Sequence, residues 1–275
     1  QEVLDTVIMA YRLAEDRRTR LPVIVNLDGF SLSFTREPVE VPTREAVREF
    51  LPPYDPQQAR FRASEPTSQG VAVLGGSPYS YFRYEAHLAA LRSLDVYAEV
   101  AAEFETAFSR RHDSIEAYGC DDAEIVFLMI GSFATKAKAA VDQLRNAGSR
   151  VGLARIRLLR PFPVEDLRSI LRGKRGLAVI DQNLSMGKGG VLHAEVASAL
   201  YGEADAPAIL TSFIGGLGGR DISPEELYQI VAETRKAIED GRAPTPRLLY
   251  TRGELREIRK LQAIAEAEEQ DWESR

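Results

Sequence analysis

The sequence has one cysteine in 275 residues, Cys120. A lone thiol forms no internal disulfide, holds no iron–sulfur cluster and builds no zinc site. Any cluster serving this protein must therefore sit on another chain, and a reducing, cytoplasmic compartment fits. Histidine is scarce as well. His87, His112 and His193 fall on separate expected helices with no i, i+4 pairing, so each reads as a surface or packing residue rather than a ligand or base. No apolar run reaches the roughly 18–20 residues that a bilayer crossing needs. Glu2 and Asp5 already interrupt the first ten positions, which is not the pattern of a signal peptide. A basic excess is missing too: the formal net charge of −6 favours solubility and argues against a nucleic-acid binder. There is no Walker loop, no full dinucleotide fingerprint, and no Ser/His/Asp or Cys/His set.

What is present is the balance of a soluble globular chain, 44% apolar and 28% charged, long enough for one large domain or two small ones. Residues 1–15 carry Val3, Leu4, Val7, Ile8 and Tyr11 at helical spacing. Val23 to Leu27 is an apolar run of strand type closed by Asp28-Gly29. No strand precedes that helix, so the sequence is expected to begin inside a domain. Prolines at 38, 42, 52, 53, 56, 66 and 78 forbid continuous helix from Glu37 to Pro78. Only Thr43 to Phe50 offers a short helix there. Phe50, Leu51, Tyr54 and Phe61 call for burial, which makes this segment an extended linker lying over other surfaces.

Tyr81 to Arg111 reads as one long helix or two consecutive ones. A regular alternation follows. Strands are expected over Glu124–Ile130, Val151–Leu159, Leu177–Asp181 and Ala208–Ile214. Helices are expected over Ala134–Ala147, Val164–Leu171, Val191–Leu200 and Pro224–Ala237. This is the pattern of a mainly parallel sheet with helices on both faces. Ser223, Pro224 and Glu226 form a helix start with a capping box. Gly253 to Trp272 reads as a charged amphipathic helix lying on a partner or on the domain surface.

Three glycine turns carry the remaining signal. Ile130-Gly131-Ser132 is a tight turn with Ser132 capping, or an anion site made of helix N–H groups; the turn is preferred. Met186 to Gly190 is a phosphate loop or a place where only glycine fits against a neighbour; its spacing favours the second. Gly215-Gly216-Leu217-Gly218-Gly219-Arg220-Asp221 is either a sharp strand-to-helix crossover or a contact loop against a partner subunit. Gly218, Gly219, Arg220 and Asp221 are the candidate interface residues. No catalytic residue and no metal ligand is assigned.

Several segments resemble the α subunit of the 2-oxoacid:ferredoxin oxidoreductases, pyruvate:ferredoxin type. They are Leu21-Pro-Val-Ile-Val-Asn-Leu-Asp-Gly-Phe, Glu37-Pro-Val-Glu-Val-Pro, Phe50-Leu-Pro-Pro-Tyr, Arg160-Pro-Phe-Pro, Asp181-Gln-Asn and Gly218-Gly-Arg-Asp. The resemblance covers nearly the whole chain, in family order. It implies an α/β fold. Residues 1–36 would be the C-terminal part of a thiamine-diphosphate pyrimidine-binding domain, and 37–78 a Pro-rich linker. A transketolase C-terminal-type domain with a leading helix would span 79–252, and a helical tail 253–275.

The resemblance further implies oxidative decarboxylation of a pyruvate-like 2-oxoacid to acyl-CoA and CO2. Thiamine diphosphate with Mg would sit at an interface with partner chains. A [4Fe-4S] cluster would lie on a partner, and coenzyme A would be the co-substrate. Implied partners are a β-type thiamine-diphosphate subunit, a γ-type subunit and a ferredoxin-like cluster subunit; the N-terminal half of the pyrimidine-binding domain is either cut from a longer subunit, of which this sequence is a fragment, or carried by a separate chain. That half, with its catalytic glutamate, has no counterpart in this sequence. Two alternatives are a non-catalytic assembly subunit of such a complex and a transketolase or 2-oxoacid dehydrogenase E1 β-type subunit. The Pro-rich segment speaks against the second alternative.

Overall fold

The structure, a computed structural model, describes residues 1–30, 32–55, 62–67 and 77–273. The expected burial of Phe61 lies outside them. Two compact units emerge, one from Gln1–Glu116 with Arg157–Pro163, the other from Ala117–Ile156 with Val164–Arg275.

In the first unit, α1 (Glu2–Ala14), α2 (Arg44–Phe50) and α3 (Ser77–Phe108) share a core of Ile8, Met9, Leu13, Phe50, Val96, Val100 and Phe104. The i, i+4 spacing of Val96, Val100 and Phe104 turns one stripe of α3 inward. Phe50 meets Phe104 edge-on at 5.4 Å between centroids. Thr43 caps α2 by accepting a hydrogen bond from the Ala46 N–H. Phe50 is buried as expected, whereas Tyr54 is exposed. The strand expected at Val23–Leu27 does not form: the segment is coil, and Ile24 is 89% exposed. An apolar run becomes a strand only where a neighbour takes its N–H and C=O groups, and none of the sheet's strands pairs with it.

The second unit is the expected α/β sandwich. Its strands are β1 (Ile115–Tyr118), β2 (Ile125–Ile130), β3 (Val151–Ile156), β4 (Gly176–Asp181), β5 (Ile209–Ile214) and β6 (Arg247–Leu248), ordered β1-β3-β2-β4-β5-β6. The β2–β3, β2–β4, β4–β5 and β5–β6 pairings are parallel. β2 and β4 are apolar nearly without interruption, as central strands covered on both faces must be. Ile125, Phe127 and Met129 alternate onto one face. That face carries α4 (Phe133–Asn146) and α7 (Pro224–Asp240). α5 (Val164–Leu171) packs with α6 (Val191–Leu200), and α6 covers β4.

The capping box of α7 is present, with Ser223 accepting from the Glu226 N–H, and Gly241 ends that helix in the left-handed region. β3 stops at Ile156 rather than continuing to Leu159. The N–H groups of Arg157 and Leu158 both donate to the Ser114 carbonyl instead of a sheet neighbour. The edge strands β1 and β6 have no counterpart among the expected elements. The tail is helical as expected: α8 runs from Arg252 to Glu273. Among the described residues no helix is long and apolar enough to cross a membrane.

Candidate functional site

Open parallel sheets bind ligands outside the carboxyl ends of their strands, where successive connections leave in opposite directions. Here that point lies between β2 and β4. The chain after β2 enters α4 on one face, and the chain after β4 enters α6 on the other. Gln182 and Phe133 line it. Gln182 Nε2 donates to the Ile130 carbonyl at 3.2 Å. Gly216, left-handed at φ 76°, stands where a Cβ would touch Gln182 and Phe133. Gly215 N–H donates to the Asp181 carbonyl at 2.9 Å, tying the third glycine turn to the same rim.

The start of α6 explains why Asp181-Gln182-Asn183 belongs together. The N-cap of α6 is Gly190, which has no side chain to accept a helix N–H. Acceptors come from the end of β4 instead. Asp181 Oδ1 accepts from Leu192 N–H at 2.7 Å, and Oδ2 from His193 N–H at 3.1 Å. Asn183 Oδ1 accepts from Val191 N–H at 3.2 Å. The first three N–H groups of α6 are thus committed, which leaves the Met186–Gly190 turn without the free donors a phosphate loop needs. A Cβ at Gly190 would run into the Asp181 carboxylate. The glycine is there for close approach, but to a side chain rather than a backbone. Burial pushes the Asp181 carboxyl up, and the amide hydrogen bonds only partly offset that.

Gly131 is left-handed, so its turn is confirmed, but Ser132 makes no side-chain cap to α4. In the third turn, Leu217, Gly218 and Gly219 are exposed while Arg220 is half-buried. Arg220 Nε donates to Glu254 at 2.5 Å, and its Nη2 donates to Glu254 at 2.6 Å and to Glu226 at 2.8 Å. It thereby fastens the start of α8 to the start of α7. The guanidinium holds the Glu254 carboxyl down to about 2. Asp221 pairs with Lys136 of α4 at 2.5 Å.

A second charged cluster, unmarked by any motif, lies in the first unit around Asp5, which is fully buried. Its oxygens accept from Gln1 Nε2 at 2.9 Å, Arg110 Nε at 2.8 Å and Arg110 Nη2 at 3.0 Å. His112 Nε2 lies 2.9 Å from Oδ2. Burial pushes this carboxyl up, but the hydrogen bonds from Arg110, Gln1 and His112 together prevail and hold it low. His112 is thus a packing partner, His193 a half-buried helix-start residue and His87 exposed. Cys120 is buried with Sγ 3.3 Å from the Leu153 carbonyl, and burial pushes its thiol up.

Among the described residues no three His, Cys, Asp or Glu side chains cluster as a metal site. The three buried acids among the described residues, Asp5, Asp181 and Glu226, all accept hydrogen bonds from internal donors. Thiamine diphosphate needs a metal held at its diphosphate and an acid facing its aminopyrimidine, and these residues do not fit it. A better clue than the glycine count stood at the start of α6, where a helix capped by glycine must find its acceptor elsewhere.

Comparison with known proteins places this geometry. Residues 1–101 match the family model "Pyruvate flavodoxin/ferredoxin oxidoreductase, thiamine diP-bdg", and 123–227 match "Pyruvate:ferredoxin oxidoreductase core domain II". The chain is 39% identical to the pyruvate synthase subunit PorA of Pyrococcus abyssi over 90% of its own length and 62% of that protein's. It is 40% identical to the PorA of Methanothermobacter thermautotrophicus over 85% of its own length and 59% of the relative's. The ketoisovalerate oxidoreductase subunit VorA of Pyrococcus abyssi is 38% identical, over 88% of this chain and 60% of that one. The chain thus spans about three-fifths of the length of the relatives it matches.

Proposed function

From its match to two family models of the pyruvate:ferredoxin oxidoreductases and its likeness to a pyruvate synthase α-type subunit, we infer that the chain is the scaffold-bearing part of an enzyme that decarboxylates a pyruvate-like 2-oxoacid oxidatively. The products are acyl-CoA and CO2, and the electrons pass to [4Fe-4S] clusters on a ferredoxin-like partner. One observation carries the reading. Two family segments stand in family order, 1–101 and 123–227, and the second lies on a complete α/β unit.

Residues 1–36 belong to the C-terminal part of a pyrimidine-binding domain, and thiamine diphosphate with Mg lies between that domain and a β-type subunit. The coil at residues 21–43 supports this. Ile24, Phe30, Phe34 and Val41 are largely exposed there, and such apolar surface calls for a covering partner. A γ-type subunit completes the assembly. In the second unit, the commitment of the first N–H groups of α6 to Asp181 and Asn183 supports a structural role. Leu217, Gly218 and Gly219 present a subunit contact, and Arg220 and Asp221 anchor that turn to α7, α8 and α4.

Reconstitution tests the reading. The chain is co-expressed with the β-type, γ-type and cluster-bearing subunits, with the N-terminal half of the pyrimidine-binding domain supplied either fused ahead of Gln1 or as a separate chain. Coenzyme-A-dependent viologen reduction is then measured with pyruvate and with branched 2-oxoacids. Turnover with any of them in the complete assembly, and none without this chain, supports it. A complete, cofactor-loaded assembly that turns over none of them would leave only the assembly role.

A further inference from the structure

α8 is rooted in the second unit by Arg220–Glu254, and every position from Arg256 to Glu266 is then exposed. One side of it is nonetheless apolar: Ile258, Leu261 and Ile264, at helical spacing, are 40%, 65% and 56% exposed. Most helical stability in proteins comes from packing such an apolar face against a neighbour. This helix is also charged against its own dipole. Its first half holds Arg252, Arg256, Arg259 and Lys260 with Glu254 and Glu257; its second holds Glu266, Glu268, Glu269, Asp271 and Glu273. Cations at a helix N-terminus and anions at its C-terminus both oppose the macrodipole. Glu254 is taken up by Arg220, which leaves the first half more basic still.

This order of charge is complementary to itself reversed. Laid antiparallel on a second α8, the basic half of each helix meets the acidic half of the other. The apolar positions then meet around the middle, near Gln262. Each helix end also gains an opposing dipole end and an opposite charge. A parallel pair would set acid on acid and base on base. We propose that α8 is an antiparallel docking helix for α8 of a second copy of this chain, bringing two copies together through their second units.

The full chain, in its complex, tests this with a short bis-maleimide linker and two single-cysteine variants, Gln262→Cys and Glu269→Cys; the native Cys120 is buried. In an antiparallel pair, copies of position 262 lie side by side about 8–10 Å apart. Copies of position 269 are separated by some 13 residues of rise, about 20 Å. Gln262→Cys should yield covalent dimers of this chain, and Glu269→Cys at least about tenfold fewer. Equal yields would mean a parallel pair. Links only to a different subunit would make α8 that subunit's dock. No links at all would mean that no copy sits there. Any of these three overturns the proposal.

A charge test stands independently of the linker. Glu266→Lys/Glu269→Lys and Arg256→Glu/Arg259→Glu should each raise the dimer dissociation constant at least about tenfold, and mixing the two variants should restore pairing. Variants that each dimerise as the native chain does would sink the idea.

Discussion

Two buried carboxylates, one in each unit, are held by opposite means. Asp5 is surrounded by cationic and polar side chains from Gln1, Arg110 and His112, and its carboxyl is held below the ordinary range. Asp181 is held by backbone N–H groups of α6, and burial leaves its carboxyl above that range. The amide-held acid lies inside a continuous sheet, where strand and helix fix donor and acceptor within one fold element. The cation-held acid ties together pieces 105 positions apart in sequence in a unit that leaves Ile24 and Phe34 facing outward. One unit holds its buried acid by regular structure, while the other adds a few long-range charges to its apolar core.

The contrast makes Asp5→Ala the most damaging of these changes. It strands Arg110 and His112 without their acceptor and should cost about 3–5 kcal/mol. Hydrogen exchange should show α1 opening while β4 keeps its protection; equal loss in both would erase the distinction. Asp181→Ala removes two helix-start acceptors and should cost about 2 kcal/mol, seen as a lower urea midpoint with fraying confined to α6.

Acid should separate the two sites by sign. Because folding lowers the Asp5 carboxyl below its ordinary 3.8, its contribution is complete above that value and is lost as pH falls below it. Folding raises Asp181, so its contribution is fullest below the ordinary range and fades as pH rises through its folded value. α1 should therefore loosen first on acidification, as followed by exchange as pH falls from about 4 to about 2; β4 opening first would refute the assignment. The smallest effect belongs to Ser212→Ala. The Ser212 hydroxyl is buried without a hydrogen-bond partner among the described residues, so its removal should be neutral or stabilising by up to about 1 kcal/mol in thermal melts.

Legibility in the sequence followed the same division. β2, β4, α5 and α6 were readable because central strands are unbroken apolar runs and helices repeat every 3.6 residues. The Ser223–Glu226 box was readable because it spans three residues. Val23–Leu27 misled, since strand character belongs to a pair and not to a segment. β6 has only two residues, Arg247 and Leu248, too few to show a period. The partners of Asp5, Asp181 and Arg220 were hidden because contacts across a fold leave no local spacing. Gly190 was the exception, where a missing cap pointed to an acceptor elsewhere.

The first unit is written in two instalments, Gln1–Glu116 and Arg157–Pro163, with the opening strands of the second unit between them. During synthesis, then, the earlier-made unit is the one that must wait. Arg157, which pairs with Glu2 at 2.8 Å and donates to the Asp113 carbonyl, emerges only after β2, α4 and β3 have left the ribosome. A single cut at the first junction would likewise deliver Gln1–Glu116 without its own last seven residues. No one scission yields both units intact.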